Sequence, residues 1–319
     1  MKRKIIIIFS ILILGVVAVF LLGPRVEVDE TLAAITLPED LDDYLADTES
    51  AYDDIVPGAE KTIVWAGEPG VKTPLAVVYL HGFSATRQET APLAENLAQE
   101  LGVNLYHTRF AGHGRSNSAM AEASVNDWLH DTQEALEIGR RLGEEGIVLG
   151  VSTGATAATW LATQPDLDDV AAFVLISPNY APRDSSSEIL LLPWGEQIAK
   201  AIIGPERSWE PLNAEQARYW TYSYPTEALL PMMGLVDLVR DGDLEAVNRP
   251  VLVIYSPNDQ VVSPQAIEET FARFGSPEKE IISVAESQDP SNHVLAGNIL
   301  APDDTATIAE IILSFLAAE

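Results

Sequence analysis

The apolar positions of this chain follow two patterns. Residues 5–22 form one uncharged apolar stretch, and from about residue 61 short apolar runs alternate with amphipathic stretches of helical period. Leu75-Ala76-Val77-Val78-Tyr79-Leu80 is apolar throughout, as in a strand buried on both faces. Runs at 62–65, 103–107, 146–151, 171–177, 251–255 and 280–284 predict further strands. Helices are predicted at 91–101, 124–142, 153–163, 264–274 and 303–318, the second opened by Ser124 as N-cap with Asp127 in its first turn. Strands alternating with helices predict an α/β fold with a mainly parallel central sheet and helices on both faces. The alternation breaks between about 182 and 249, where six prolines and the tryptophans Trp194, Trp209 and Trp220 occur. That break reads as an inserted cap. Its apolar segments at 189–194 and 228–233, with Met232 and Met233, predict a helical cover that binds an apolar group.

The N-terminal stretch follows the basic cluster Lys2-Arg3-Lys4 and precedes a segment richer in acids. Eighteen residues at 1.5 Å each give about 27 Å, which predicts an uncleaved membrane anchor over 1–23. The basic flank places the N-terminus in the cytoplasm and the remainder on the extracytoplasmic side of a cell membrane. A cleaved signal peptide is the competing expectation, but no small-residue cleavage pattern follows the apolar stretch. Residues 24–60 read as an acidic tether with a short helix near 39–48, and residues 61–319 as the main domain.

Charge narrows the partners. Nineteen basic and 48 acidic residues give a net charge of −29, which repels phosphate backbones and argues against nucleic acid as a partner. With no cysteine, disulfides and thiolate metal sites are excluded. Oligomeric state leaves no signature in the sequence.

The chemistry centres on Gly150-Val151-Ser152-Thr153-Gly154, a G-x-S-x-G pattern between an apolar strand and an alanine-rich helix. A serine on such a tight turn needs neighbours with almost no side chain, and it needs a base to become a nucleophile. His293 is the one histidine after Ser152; His81 and His113 flank glycines, His107 ends a strand and His130 lies within a helix. Asp259, in the turn after the 251–255 strand, is the expected orienting acid, with Asp289 as the alternative. Backbone N–H groups of Thr153, just after the nucleophile, and of Phe83, after the 75–80 strand, are the expected oxyanion donors.

His81-Gly82-Phe83, Gly112-His113-Gly114-Arg115-Ser116, the Ser152 turn, Asp259 and Ser291-Asn292-His293 follow one another in an order that resembles α/β-hydrolase-fold enzymes of the monoglyceride-lipase and serine-aminopeptidase-like group. The resemblance covers about 61–319, apart from much of the insertion. That group usually has an arginine just before the G-H-G turn, where this chain has Ala111, with Arg109 earlier. The resemblance implies a serine hydrolase acting on a small-molecule carboxylic ester, without metal or cofactor. Two other functions stay open. One is aminopeptidase-type amide hydrolysis, with Glu196, Glu206, Glu210, Glu215 or Glu227 holding a substrate amine. The other is a membrane-tethered, catalytically inactive binding protein.

Overall fold

The computed structural model describes residues 2–318; Met1 of the expected anchor and Glu319 of the expected main domain lie outside them. Residues Lys2–Leu21 form one helix, α1. Among the described residues, no helix is long and apolar enough to cross a membrane, so the spanning anchor expected over 1–23 is not supported. The helix starts with three charged residues and ends before Leu22. About 17 uncharged helical residues remain, at the lower end of the roughly 17–25 that a span needs.

Beyond it, α2 (Leu41–Glu49) is capped by Asp40, whose side chain accepts the Asp43 N–H. Its spacing matters more than its acidity: Leu41 and Leu45, four apart and on one face, are buried in the main core. The segment expected as a tether is thus joined to the catalytic body. Between the two helices the chain runs as a strap, with Pro24 O accepting the Trp194 N–H and the Asn126 side chain donating to Asp29 O and Thr31 O.

The body is a seven-stranded sheet in the order β1-β3-β2-β4-β5-β8-β9. The strands are β1 (Thr62–Val64), β2 (Thr73–Leu80), β3 (Asn104–His107), β4 (Gly143–Val151), β5 (Val170–Ile176), β8 (Val251–Tyr255) and β9 (Lys279–Ser283), with the short β6 and β7 in the insertion. Within this sheet, among the described residues, edge strand β1 alone pairs antiparallel and the other pairings are parallel. Side chains alternate between faces with period two. Ala76, Val78 and Leu80 of β2 enter one core, with α4 (Val125–Leu142) and α5 (Thr153–Ala162). Val77 and Tyr79 enter the other, with α3 (Leu93–Leu101) and α10 (Thr305–Leu316). Burial on both faces explains why these strands read as unbroken apolar runs. Ser124 and Asp127 make a reciprocal capping box at the start of α4.

The insertion holds α6 (Gly195–Ile203), a two-stranded antiparallel ribbon of β6 (Glu206–Ser208) and β7 (Ser223–Pro225), α7 (Ala214–Tyr219) and α8 (Leu229–Asp241). After it, α9 (Pro264–Arg273) begins with Pro264 in its first turn behind a Ser263 cap. Helix α8 only half matches the sequence expectation. Met233, Leu235 and Val236 are fully buried core residues, whereas Met232 lines a cavity.

Candidate active site

Ser152 stands between β4 and α5 with φ 53 and ψ −117, a conformation that few non-glycine residues adopt. The surrounding backbone approaches too closely for ordinary neighbours. A Cβ on Gly154 would lie 2.1 Å from Leu80 O and 2.5 Å from His81 O, and one on Gly150 would lie 2.7 Å from Ala155 Cα. Both glycines are therefore steric requirements of the turn. The Ser152 N–H donates to Ile176 O at 2.9 Å, which fixes the turn to the end of β5.

The structure brings Ser152, His293 and Asp259 into one line. His293 Nε2 is 3.0 Å from Ser152 Oγ, and His293 Nδ1 is 2.8 Å from Asp259 Oδ2. Asp259 is fully buried, and its other oxygen accepts the N–H groups of Val261 at 2.7 Å and Val262 at 2.9 Å. Asp289, the alternative acid, has a different task. Its carboxylate accepts the His293 N–H at 3.1 Å and the Val294 N–H at 2.9 Å, so it holds the histidine's backbone and not its ring. Burial by itself would depress the His293 imidazole; the Asp259 carboxylate, aided by Asp289 and Glu89, outweighs it and holds the pKa above the ordinary value.

The expected oxyanion donors lie beside the serine. A Cβ on Gly82 would lie 3.1 Å from Ser152 Cβ, so the 81–84 loop abuts the nucleophile. Among the described residues, neither the Phe83 nor the Thr153 N–H has a protein acceptor. Of the other histidines, His81, His107 and His113 are buried and His130 is half-buried. His81 Nδ1 meets Gly82 O at 2.9 Å while Nε2 meets the Phe110 N–H at 3.1 Å; these partners assign the proton to Nδ1. Burial lowers His81 well below the usual imidazole range, so it stays neutral.

Arg109 supports the G-H-G turn from two positions before Ala111. Its Nη1 donates to His113 O at 3.1 Å, and its other donors reach Glu49 of α2 at 2.8 and 2.7 Å.

A cavity of about 800 Å³ opens onto Ser152 and His293. Its walls are largely apolar, with Leu190, Ile202, Ile203, Trp220, Leu229 and Met232 from the insertion. Of the five acids weighed for a substrate amine, only Glu210 lines it; Glu196 and Glu227 pair with Lys200. Glu89, Asn179 and Arg207 are among the lining residues that were not singled out in the sequence. Asn179 follows β5, and its N–H donates to Ser152 O at 3.2 Å. Among the described residues, no group of three or more His, Asp or Glu side chains is arranged to hold a metal ion.

Comparison with known proteins fits this geometry. The family model described as "Serine aminopeptidase, S33" matches residues 72–287, about two thirds of the chain. A thermostable monoacylglycerol lipase from Bacillus sp. (strain H-257) is 25% identical over 215 residues, 67% of this chain and 82% of that protein. Among solved structures, one from work on the metagenome-derived lipolytic enzymes LipS and LipT superposes with a TM-score of 0.66 at 24% identity, covering 83% of this chain and 100% of that one. A soluble variant of the Saccharomyces cerevisiae monoglyceride lipase, in complex with a substrate analog, gives 0.61 at 14% identity, covering 83% and 96%. The chain belongs to the serine aminopeptidase S33 family, and is an α/β-hydrolase-fold enzyme of the lipase- and esterase-like, monoglyceride-lipase-like kind.

Proposed function

We propose that this enzyme hydrolyses carboxylic esters of medium-chain acyl groups, of the monoacylglycerol type, through Ser152, His293 and Asp259. The observation that carries this reading is the continuous Asp259–His293–Ser152 hydrogen-bonded line at the base of a largely apolar cavity. His293 Nε2 takes the hydroxyl proton as Ser152 Oγ attacks the ester carbonyl. Asp259 fixes the tautomer through Nδ1 and stabilises the imidazolium. The Phe83 and Thr153 N–H groups receive the developing oxyanion. His293 then protonates the leaving alcohol, and a water activated by the same imidazole clears the acyl-enzyme. The insertion acts as a cap whose apolar wall holds the acyl chain; the name of the Bacillus relative supports that substrate class.

The test is a series of p-nitrophenyl esters from acetyl to palmitoyl, run with Ser152→Ala alongside. A maximum at medium length that is lost in the variant supports the proposal; an acetyl maximum, or full activity in Ser152→Ala, overturns it. Glu210 in the cavity favours one second reading, amide hydrolysis with that carboxylate holding a substrate amine. Aminoacyl amides cleaved faster than any ester would select it.

We also infer that α1 attaches the enzyme to a cell membrane, with the catalytic domain on the extracytoplasmic side. Support comes from the exposed apolar side chains along α1, among them Ile6, Phe9, Ile13, Val17 and Leu21, next to the basic cluster at 2–4. Full recovery of the intact chain in the soluble fraction would reject it.

A further inference from the structure

The hydrolytic reading leaves one buried carboxyl beside the nucleophile without a role. Glu89 ends the 3₁₀ turn Arg87–Glu89 and is 3% exposed. It lines the cavity that holds Ser152 and His293. Its Oε1 accepts the Gly82 N–H at 2.7 Å and the Tyr79 hydroxyl at 2.9 Å, and that hydroxyl also meets Thr90 Oγ1 at 2.7 Å. A Cβ on Gly82 would lie 2.9 Å from Glu89 Oε2 and 3.1 Å from Ser152 Cβ, so the second carboxyl oxygen sits on the serine's side of the loop.

These contacts bear on the Phe83 N–H. The peptide unit that carries this donor shares the Gly82 carbonyl, which His81 Nδ1 holds at 2.9 Å. The unit before it carries the Gly82 N–H, which Glu89 holds. The two planes flanking Gly82 are therefore pinned from both sides, and the direction of the Phe83 N–H with them. On its other side, Glu89 touches the loop that carries the histidine: a Cβ on Gly297 would lie 2.6 Å from Glu89 O, and the Asn298 N–H donates to Ala91 O.

We propose that Glu89 is a positioning residue of the hydrolytic site, aiming the Phe83 oxyanion donor through the Gly82 N–H. This rests on the reading of Ser152 as nucleophile. The titratable groups facing His293 are Asp259 from the turn after β8, Asp289 from its own loop, and Glu89. Those facing Glu89 are Tyr79 of β2 and His293. Burial raises the Glu89 carboxyl to about 7, against the pull of Gly82, Tyr79 and His293, so below that pH it holds the Gly82 N–H as a neutral acid.

The experiment measures the rate at which a fluorophosphonate labels Ser152 in the full chain, as a function of pH, so that no natural substrate is needed. Glu89→Gln keeps an oxygen for the Gly82 N–H and removes the charge. It should retain the plateau rate within about threefold, because the Gly82 N–H keeps its acceptor. Glu89→Ala removes the acceptor and should lower the plateau about tenfold or more, part of the cost of a lost oxyanion donor. A folded Glu89→Gln whose plateau falls tenfold or more overturns the proposal, and does so even if Glu89→Ala fails to fold. A folded Glu89→Ala with the wild-type plateau overturns it too. A wild-type chain that the probe does not label would reject Ser152 as nucleophile, and this inference with it.

Discussion

Asp259→Asn tests the proposed hydrogen-bonded line with the least steric change. The side chain keeps its size, but one oxygen becomes an NH₂ group. In the native site, Oδ1 accepts two N–H groups, from Val261 and Val262, while Oδ2 faces His293 Nδ1. The asparagine must keep its oxygen toward those two donors, since an NH₂ there would leave two buried N–H groups unpaired. Its NH₂ then faces His293 and donates to Nδ1. The ring proton moves to Nε2, directed at Ser152 Oγ 3.0 Å away, and the imidazole can no longer accept the hydroxyl proton. The imidazolium also loses its principal counter-charge. A wrong tautomer of this kind costs about 10⁴ in turnover, or roughly 5.5 kcal/mol in barrier height. Stability should change by less than about 1 kcal/mol, because the backbone hydrogen bonds survive. Ester turnover and urea unfolding, measured on the same preparation, check both statements. Turnover within tenfold of wild type, with a collapse in Asp289→Asn instead, would refute the assignment of the two acids.

Gly154→Ala should destabilise the fold by about 3 kcal/mol or more, since its Cβ would press on the Leu80 and His81 carbonyls; an unchanged urea midpoint would contradict this. Met233→Ala should cost about 2–5 kcal/mol of stability without altering acyl preference, as a fully buried core residue. Met232→Gln should instead lower activity on octanoyl more than on acetyl esters, each buried methylene contributing about 0.8 kcal/mol; equal losses on both esters would remove Met232 from the acyl wall. The proposed mechanism needs a neutral imidazole, and His293 is held above its ordinary value, so kcat/KM should rise with pH to a midpoint above about 6.5. A midpoint below that value would show that burial outweighs the Asp259 carboxylate.

Strand and helix positions were legible because the parallel strands are buried on both faces and their helices are amphipathic. Both properties are local in the sequence. That Ser152, His293 and Asp259 would come together was legible because a strained turn demands glycines and because chain order limits the partners. Contacts that depend on how a loop folds back on itself carried no such signal. Glu89 lies in the unremarkable polar run Arg87-Gln88-Glu89, and only the folding of that turn back onto Gly82 makes it a neighbour of the nucleophile. Arg109 stood two positions from where an arginine was expected, and its reach to His113 O depends on a backbone path that spacing does not encode. In α2, Leu41 and Leu45 carried a helical signal that the surrounding acids obscured. Met232 and Met233 adjoin in sequence, so only the orientation of α8 sorts one into the cavity and the other into the core.

The ion pair between Glu49 and Arg109 determines where this protein tolerates cleavage. A protease acting on the exposed residues 27–30 would separate α1 from an enzyme whose buried charges remain matched. A cut just ahead of β1 would free α2 to leave and strand a buried guanidinium beneath the His113 turn. Removing one partner of such a pair costs about 3–5 kcal/mol, a large part of the 5–15 kcal/mol that keeps a typical domain folded. Loss of the N-terminal helix should therefore leave a folded enzyme, whereas trimming some thirty residues further should yield a substrate for degradation.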